Sequence, residues 1–119
     1  MSDIELRGLV SNALASVFPS LYEGLGMPIL ESYARGRPVF GSNTSAVTEV
    51  IAPECSFDPW SIEAMADMLV RIPAEPALHA ASLRFGEHVL ARMSWAASAE
   101  CMLRTLASVL GARAAHTHM

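Results

Sequence analysis

The chain contains no lysine: its eight basic residues are all arginine and stand against twelve acidic ones, for a formal net charge of -4. No basic stripe gathers those arginines, so nucleic acid is excluded as an expected partner. Two cysteines, Cys55 and Cys101, are too few for a disulfide framework or a thiolate metal cluster, and both are expected to be buried and reduced. No apolar run approaches the roughly 18 residues of a membrane span. The first residues, Met1-Ser2-Asp3-Ile4-Glu5, lack the basic and apolar regions of a secretory signal, so the chain is expected to be cytoplasmic. His79 and His88 have no acidic or thiol partner at ligand spacing, and His116 and His118 fall in the terminal tail. No metal site and no cofactor are therefore expected.

What is present argues for a folded core. Hydrophobic residues make up 52% of the chain and charged residues 17%, a balance unlike that of a disordered segment. At 119 residues the chain suits one modest domain. Ser2-x-x-Glu5 has the form of a capping box, after which Leu6, Leu9, Val10 and Ala13 recur at helical spacing. Ala15-Ser16-Val17-Phe18, ended by Pro19-Ser20, reads as a strand buried on both faces. A helix is expected from Pro28 to Ala34, stopped by Gly36. Pro38-Val39-Phe40-Gly41 reads as a second buried strand, followed by a polar loop and a short helix at Ala46–Ile51 that carries Glu49 in its first turn, where the helix dipole accounts for it. Cys55-Ser56-Phe57 forms a weak third strand. Asp58-Pro59-Trp60-Ser61 opens a helix whose apolar face is Ile62, Met65, Met68 or Leu69, and Ile72. Two more helices follow, Leu78 to Met93 and, capped by Ser94, on to Leu110. Trp60 and Trp95, near helix starts, are expected to cover the core.

Strands alternating with helices in this way predict an α/β fold, with about three parallel strands under a layer of helices and further helices at the C-terminus. The organisation expected is a domain over residues 1–110 and a frayed tail over Gly111–Met119.

The most informative segment is Glu23-Gly24-Leu25-Gly26-Met27-Pro28-Ile29-Leu30-Glu31, two glutamates separated by seven residues, with Ser32-Tyr33-Ala34-Arg35-Gly36-Arg37-Pro38-Val39 after it. Together with Pro19-Ser20 before it and Glu49-Val50 after it, this segment resembles the donor-sugar site of retaining GT-B glycosyltransferases of the group 1, or family 4, type. The family pattern is a glutamate, a Gly-aromatic-Gly turn, a Pro, a second glutamate, and a small-residue helix ending in Gly-x-Pro-Val. Leu25 stands where the aromatic is usual. Ser45-Ala46-Val47-Thr48 lacks the Gly and Pro that often precede Glu49, so no contact is carried over to that loop.

The segment's chemistry suits the resemblance. A strand leading through a Gly-containing turn into a helix leaves backbone N–H groups free at the positive end of the helix dipole, a place for a phosphate or a sugar oxygen. Pro28 fits the first helical position, and Met27, as N-cap, has no side-chain acceptor to engage the turn. The amides of Gly24, Leu25, Gly26 and Met27 are thus expected to serve the donor's diphosphate. Glu31, one turn into the helix, can accept hydrogen bonds from both hydroxyls of a ribose. Glu23, before the turn, is assigned to the catalytic site as a partner for hydroxyls of the donor hexose. Neither acid is a nucleophile: the resemblance implies attack on the same face as the departing diphosphate, whose charge is met by amides and by an Arg/Lys pair that no arginine here matches.

The resemblance implies a partial C-terminal, nucleotide-sugar-binding domain. It further implies transfer of a hexosyl group from a nucleoside diphosphate sugar to a glycan or lipid-linked acceptor, with retention, without a required metal, and with this chain alone inactive. Cytoplasmic placement would extend to a peripheral membrane position in a full-length enzyme. The acceptor-binding domain and the first strands of the Rossmann-like half are not in the sequence, which predicts an unpaired edge at Ala15–Phe18 and a homodimer through it. The alternative is a non-catalytic Rossmann-like module for partner binding or oligomer assembly.

Overall fold

The computed structural model describes residues 2–117, with side chains through Gly111. The order of elements is α1 (Asp3–Asn12), β1 (Ser16–Phe18), α2 (Met27–Ala34), β2 (Val39–Ser42), β3 (Ser56–Phe57), α3 (Ile62–Ala74), α4 (Pro76–Arg92) and α5 (Trp95–Thr117). The three strands form one parallel sheet in the order β1-β2-β3, with Ser16 opposite Val39 and Gly41 opposite Ser56. The α/β architecture with a three-stranded parallel sheet is the one expected.

β2 is the buried centre: all four of its residues are shielded from solvent. The core gathers around it from Ile29 and Tyr33 of α2, Val47, Val50 and Ile51 of the following segment, Phe57 of β3, Met68 and Ile72 of α3, and Leu78 and Val89 of α4. Parallel strands covered in this way read as continuous apolar runs. β1 departs from that expectation, because it is paired with β2 alone and leaves Val17 36% exposed. Its burial is that of an edge strand.

The sheet is shorter than its backbone requires. β3 begins opposite Gly41, so nothing from β3 meets the N–H and C=O of Val39. Ser82 of α4 replaces the missing ladder. Its hydroxyl accepts from the Val39 N–H at 2.7 Å and donates to the Val39 carbonyl at 2.9 Å, and all of these groups are buried. Next to it Gly86 lets Tyr33 lie against α4, since a Cβ there would collide with the Tyr33 ring. The Tyr33 hydroxyl is buried without a hydrogen-bond partner. Ser82 lies near enough to relieve part of its burial, yet its hydroxyl is committed to Val39.

Local signals set the helix ends. Ser2 and Glu5 form the expected capping box. α2 ends in a Schellman motif: Gly36 adopts φ 67°, its N–H bonds to Tyr33 O at 2.8 Å, and Arg37 N–H bonds to Ser32 O at 3.0 Å. Between β2 and β3 the helix expected at Ala46–Ile51 is a 3-10 turn, Ser45–Glu49, and a second one opened by Pro53, Pro53–Cys55, takes Cys55 out of the expected strand. Ser61 caps α3 and Ser94 caps α5 through bonds to the amides of Ala64 and Ala97.

Several burial expectations are corrected. Ile62 is 77% exposed, because the buried stripe of α3 begins with Ala64 and Met65 and continues through Met68 and Ile72. Trp60 and Trp95 are 74% and 88% exposed, so neither covers the core. Cys55 is buried but Cys101 is exposed, since it lies on α5, which has no buried side chain among its described residues. α1 likewise buries none of its residues. Helix α5 also passes the expected boundary at Leu110 and runs to Thr117, its Ala-rich end having high helix propensity. The last residues of the expected tail, His118 and Met119, lie outside the described part.

Ser82→Ala strips both Val39 groups of their partner and is expected to lower unfolding free energy by about 2–4 kcal/mol, measured by urea denaturation. The core also makes stability depend on pH. Burial pushes the Tyr33 phenol up from 10.0 to about 12 and the Cys55 thiol up from 9.0 to about 11. The unfolded chain releases these protons first, so the stability they contribute is whole below pH 9.0 and is lost as pH rises to about 12. In a denaturation series against pH, Cys55→Ala should remove the early part of that loss and Tyr33→Phe the later part.

Candidate functional site

The segment between β1 and α2 is built from both sides. Gly26 is the N-cap of α2, in the left-handed region at φ 73°, and its carbonyl accepts from Ile29 N–H at 2.8 Å. A Cβ at Gly26 would come within 2.8 Å of Ile29 Cδ1, the end of a side chain that can turn aside, so it is the backbone angle that calls for glycine. This moves the helix start by one residue from the expectation. Gly26, not Met27, is the cap; Met27 is the first helical residue and Pro28 the second. The reason is the left-handed turn, which only Gly26 makes at little cost.

No side chain caps α2. Among the described residues the amides of Gly24, Leu25, Gly26 and Met27 donate no hydrogen bond. The carbonyls on the preceding stretch are engaged. Ser42 Oγ donates to the carbonyls of Phe18 and Ser20, Thr44 Oγ1 to those of Ser20 and Leu21 at 3.4 and 3.3 Å, and Ser45 Oγ to that of Glu23 at 2.9 Å. One loop therefore holds another by its acceptors and leaves its donors free. The sequence shows Ser42-Asn43-Thr44-Ser45 only as a polar loop; nothing in its spacing marks these hydroxyls as partners of Ser20 to Glu23.

Glu23 is half-buried, and its carboxylate accepts from Ser20 Oγ at 2.9 Å, which ties its side chain to the end of β1. Glu31 is exposed on the face of α2 that also carries Pro28, Ser32 and Arg35. These four line a cleft of about 360 Å³ with Asp3, Leu6, Arg7 and Val10 of α1 and with Ser16 and Phe18 of β1. Arg35 stands 4.0 Å from the Glu31 carboxylate and donates to the Glu31 carbonyl at 2.8 Å. At this exposure the pair contributes a few tenths of a kcal/mol at most. Its chemical effect is to place a guanidinium beside the acid, with Arg7 on the same cleft. Leu25 and Met27 lie elsewhere, lining an apolar hollow of about 260 Å³ with Leu30, Met93 and Trp95.

The structure thus separates the two acids. Glu23 belongs to the loop end of β1 and lines neither hollow; Glu31 belongs to the α1–α2 cleft. Between them lie the four unengaged amides. Glu49 falls at the C-terminal end of its 3-10 turn, so the helix-dipole account of this acid does not hold. Among the described residues no three His, Cys, Asp or Glu side chains group as metal ligands, and no helix is long and apolar enough to cross a membrane.

Comparison with known proteins bears on this arrangement. The family model described as glycosyl transferases group 1 matches residues 2–74, the stretch that contains β1, the turn, α2 and β2. Over 80 residues, 64% of the chain, the sequence is 35% identical to an MMP alpha-(1->4)-mannosyltransferase of Mycolicibacterium hassiacum, of which that covers 20%. It is 28% identical over 111 residues to the serotype-specific mannosyltransferase WbdA of Escherichia coli, covering 92% of this chain and 14% of that protein. A sucrose-phosphate synthase from Thermosynechococcus elongatus superimposes with a TM-score of 0.72 at 31% identity, over 87% of this chain and 27% of the synthase. The chain spans a fifth or less of the length of these curated relatives. A match over residues 2–74 and a shared three-dimensional course place this chain in the glycosyl transferases group 1 family, as part of the C-terminal half of a GT-B fold.

Proposed function

We propose that this chain forms the donor-binding wall of a retaining glycosyltransferase. In this reading the diphosphate of a nucleoside diphosphate sugar rests on the amides of Gly24, Leu25, Gly26 and Met27. Glu31 accepts from the two ribose hydroxyls, and Glu23 accepts from hydroxyls of the hexose. The bond from the sugar's anomeric carbon to the diphosphate breaks, its electron pair leaving with the diphosphate, while the acceptor hydroxyl oxygen bonds to that carbon from the same face and gives its proton to the departing diphosphate. Charge growing on the diphosphate meets N–H dipoles at the start of α2, so no metal is required. Two relatives named as mannosyltransferases support mannose as the sugar. The acceptor, a glycan or a lipid-linked glycan, would be held by residues outside this sequence, and the isolated chain would bind donor without transferring it. Residues 1–110 act as the donor domain, in the cytoplasm or at the membrane's cytoplasmic face.

The observation that carries this reading is the uncapped start of α2. Its donors are unengaged while the carbonyls before it are held by neighbouring hydroxyls. Unpaired amides backed by a helix dipole are a site for an anion, and the flanking carboxylates fit the sugars on either side of one. The exposed edge at β1 supports a second element of the proposal, pairing of two copies through that strand.

Calorimetric titration of the chain with GDP, UDP and their mannose and glucose derivatives tests the site. We expect one nucleotide series to bind, and Glu31→Ala to weaken it about tenfold to a hundredfold, as loss of charge-assisted bonds to a diol requires. Addition of a chelator should leave the affinity unchanged. Absence of heat with every nucleotide would favour the module for partner binding. Gly26→Ala should weaken binding and stability together, by about 1–3 kcal/mol in unfolding free energy, because the cap must leave its left-handed angle.

A further inference from the structure

Ser45 is the only non-glycine residue with a positive φ among those described, at 55°. Serine gains little from that region, and a residue is held there only when its surroundings fix it. Two bonds do so here. Its hydroxyl donates to the Glu23 carbonyl at 2.9 Å, and its own carbonyl accepts from Thr48 Oγ1 at 2.9 Å. The left-handed turn opens the 3-10 segment Ser45–Glu49, whose Val47 and following Val50 and Ile51 are fully buried in the core. Ser45 thus stands between a rigid anchor and the carbonyl of the residue that begins the donor turn.

We propose that Ser45 is a positioning residue: its hydroxyl, projected by the strained backbone, fixes the peptide between Glu23 and Gly24 and so aims the N–H groups that follow. A peptide plane is rigid, so holding the Glu23 oxygen also sets the direction of the Gly24 N–H. Thr44 and Ser42 hold the carbonyls of Leu21 and Ser20 from the same segment, while Ser20 holds the Glu23 carboxylate. The Ser45 bond completes this chain of hydroxyls at its last residue before the free amides. The assignment rests on the donor-site reading for its functional meaning, but the ordering of the turn stands apart from any nucleotide.

Ser45→Gly separates positioning from folding, because glycine accepts φ 55° without strain and removes the hydroxyl. Backbone 15N relaxation of Gly24 and Gly26 in the full chain reads the turn directly, and thermal unfolding reads the fold. The expected result is a melting temperature equal to or above that of the unsubstituted chain, together with lowered order parameters at Gly24 and Gly26. Ser45→Ala should loosen the same two glycines while lowering the melting temperature. Affinity for the nucleotide sugar that binds best should fall about threefold to tenfold in both variants, the range of one neutral hydrogen bond. Unchanged order parameters at Gly24 and Gly26 in a folded Ser45→Gly chain would overturn the proposal. Failure of the unsubstituted chain to bind any nucleotide sugar would overturn the donor-site reading instead, with the relaxation data still deciding the role of Ser45.

Discussion

The backbone of β2 has to be hydrogen-bonded on both sides in a place without water, and its neighbours are too short to do it alone. β1 supplies three residues and β3 only two. Where those ladders run out, side-chain hydroxyls take their place. At the start of β2 Ser82 binds both polar groups of Val39, and at its end Ser42, Thr44 and Ser45 bind the carbonyls that leave β1. An unpaired buried peptide group costs about 1–3 kcal/mol, so Ser82, which accepts from the Val39 N–H and donates to its carbonyl, matters most to the short sheet, while the loop after β2 holds the more exposed carbonyls beyond β1. The same hydroxyls that extend the sheet also shape the turn between β1 and α2.

Much of this is legible in the sequence, and the limits have physical causes. The strands at Ser16–Phe18 and Val39–Ser42, the stop at Gly36 and the caps at Ser2 and Ser94 are local events, written in neighbouring residues. The turn before α2 is visible because Gly26 takes a left-handed angle and Pro28 is accepted in the first turn of a helix, at fixed spacing. Position of the cap by one residue is not, since Met27 and Gly26 both precede Pro28 and only φ separates them. Burial escapes the sequence wherever it depends on partners. Trp60, Trp95, Ile62 and Cys101 are apolar or nearly so, but no described element of this chain covers them. Hydroxyl contacts such as Ser82 to Val39 or Ser45 to Glu23 join residues 43 and 22 positions apart and leave no periodic trace.

The polar groups of the turn divide by type along the chain. Acceptors between Phe18 and Glu23 are largely consumed internally, and donors from Gly24 to Met27 are not. Free N–H groups at a helix start carry a partial positive charge that does not depend on the side chain at position 25. Leu25 in place of the family's aromatic is consistent with that, because the side chain faces the apolar hollow near Trp95 while the peptide carries the polarity.

Helix α5 also changes how the molecule would behave in bulk solution. A helix of 23 residues with no described side chain buried gives the chain dimensions of 65 × 33 × 28 Å and a radius of gyration of 18.6 Å. A compact domain of this length would have a radius of about 13.5 Å. Such a rod-tailed particle meets more friction than a sphere of its 12.8 kDa mass. On a sizing column even a single chain of this shape elutes ahead of a sphere of its mass, and its tumbling is anisotropic, so elution volume alone does not count copies.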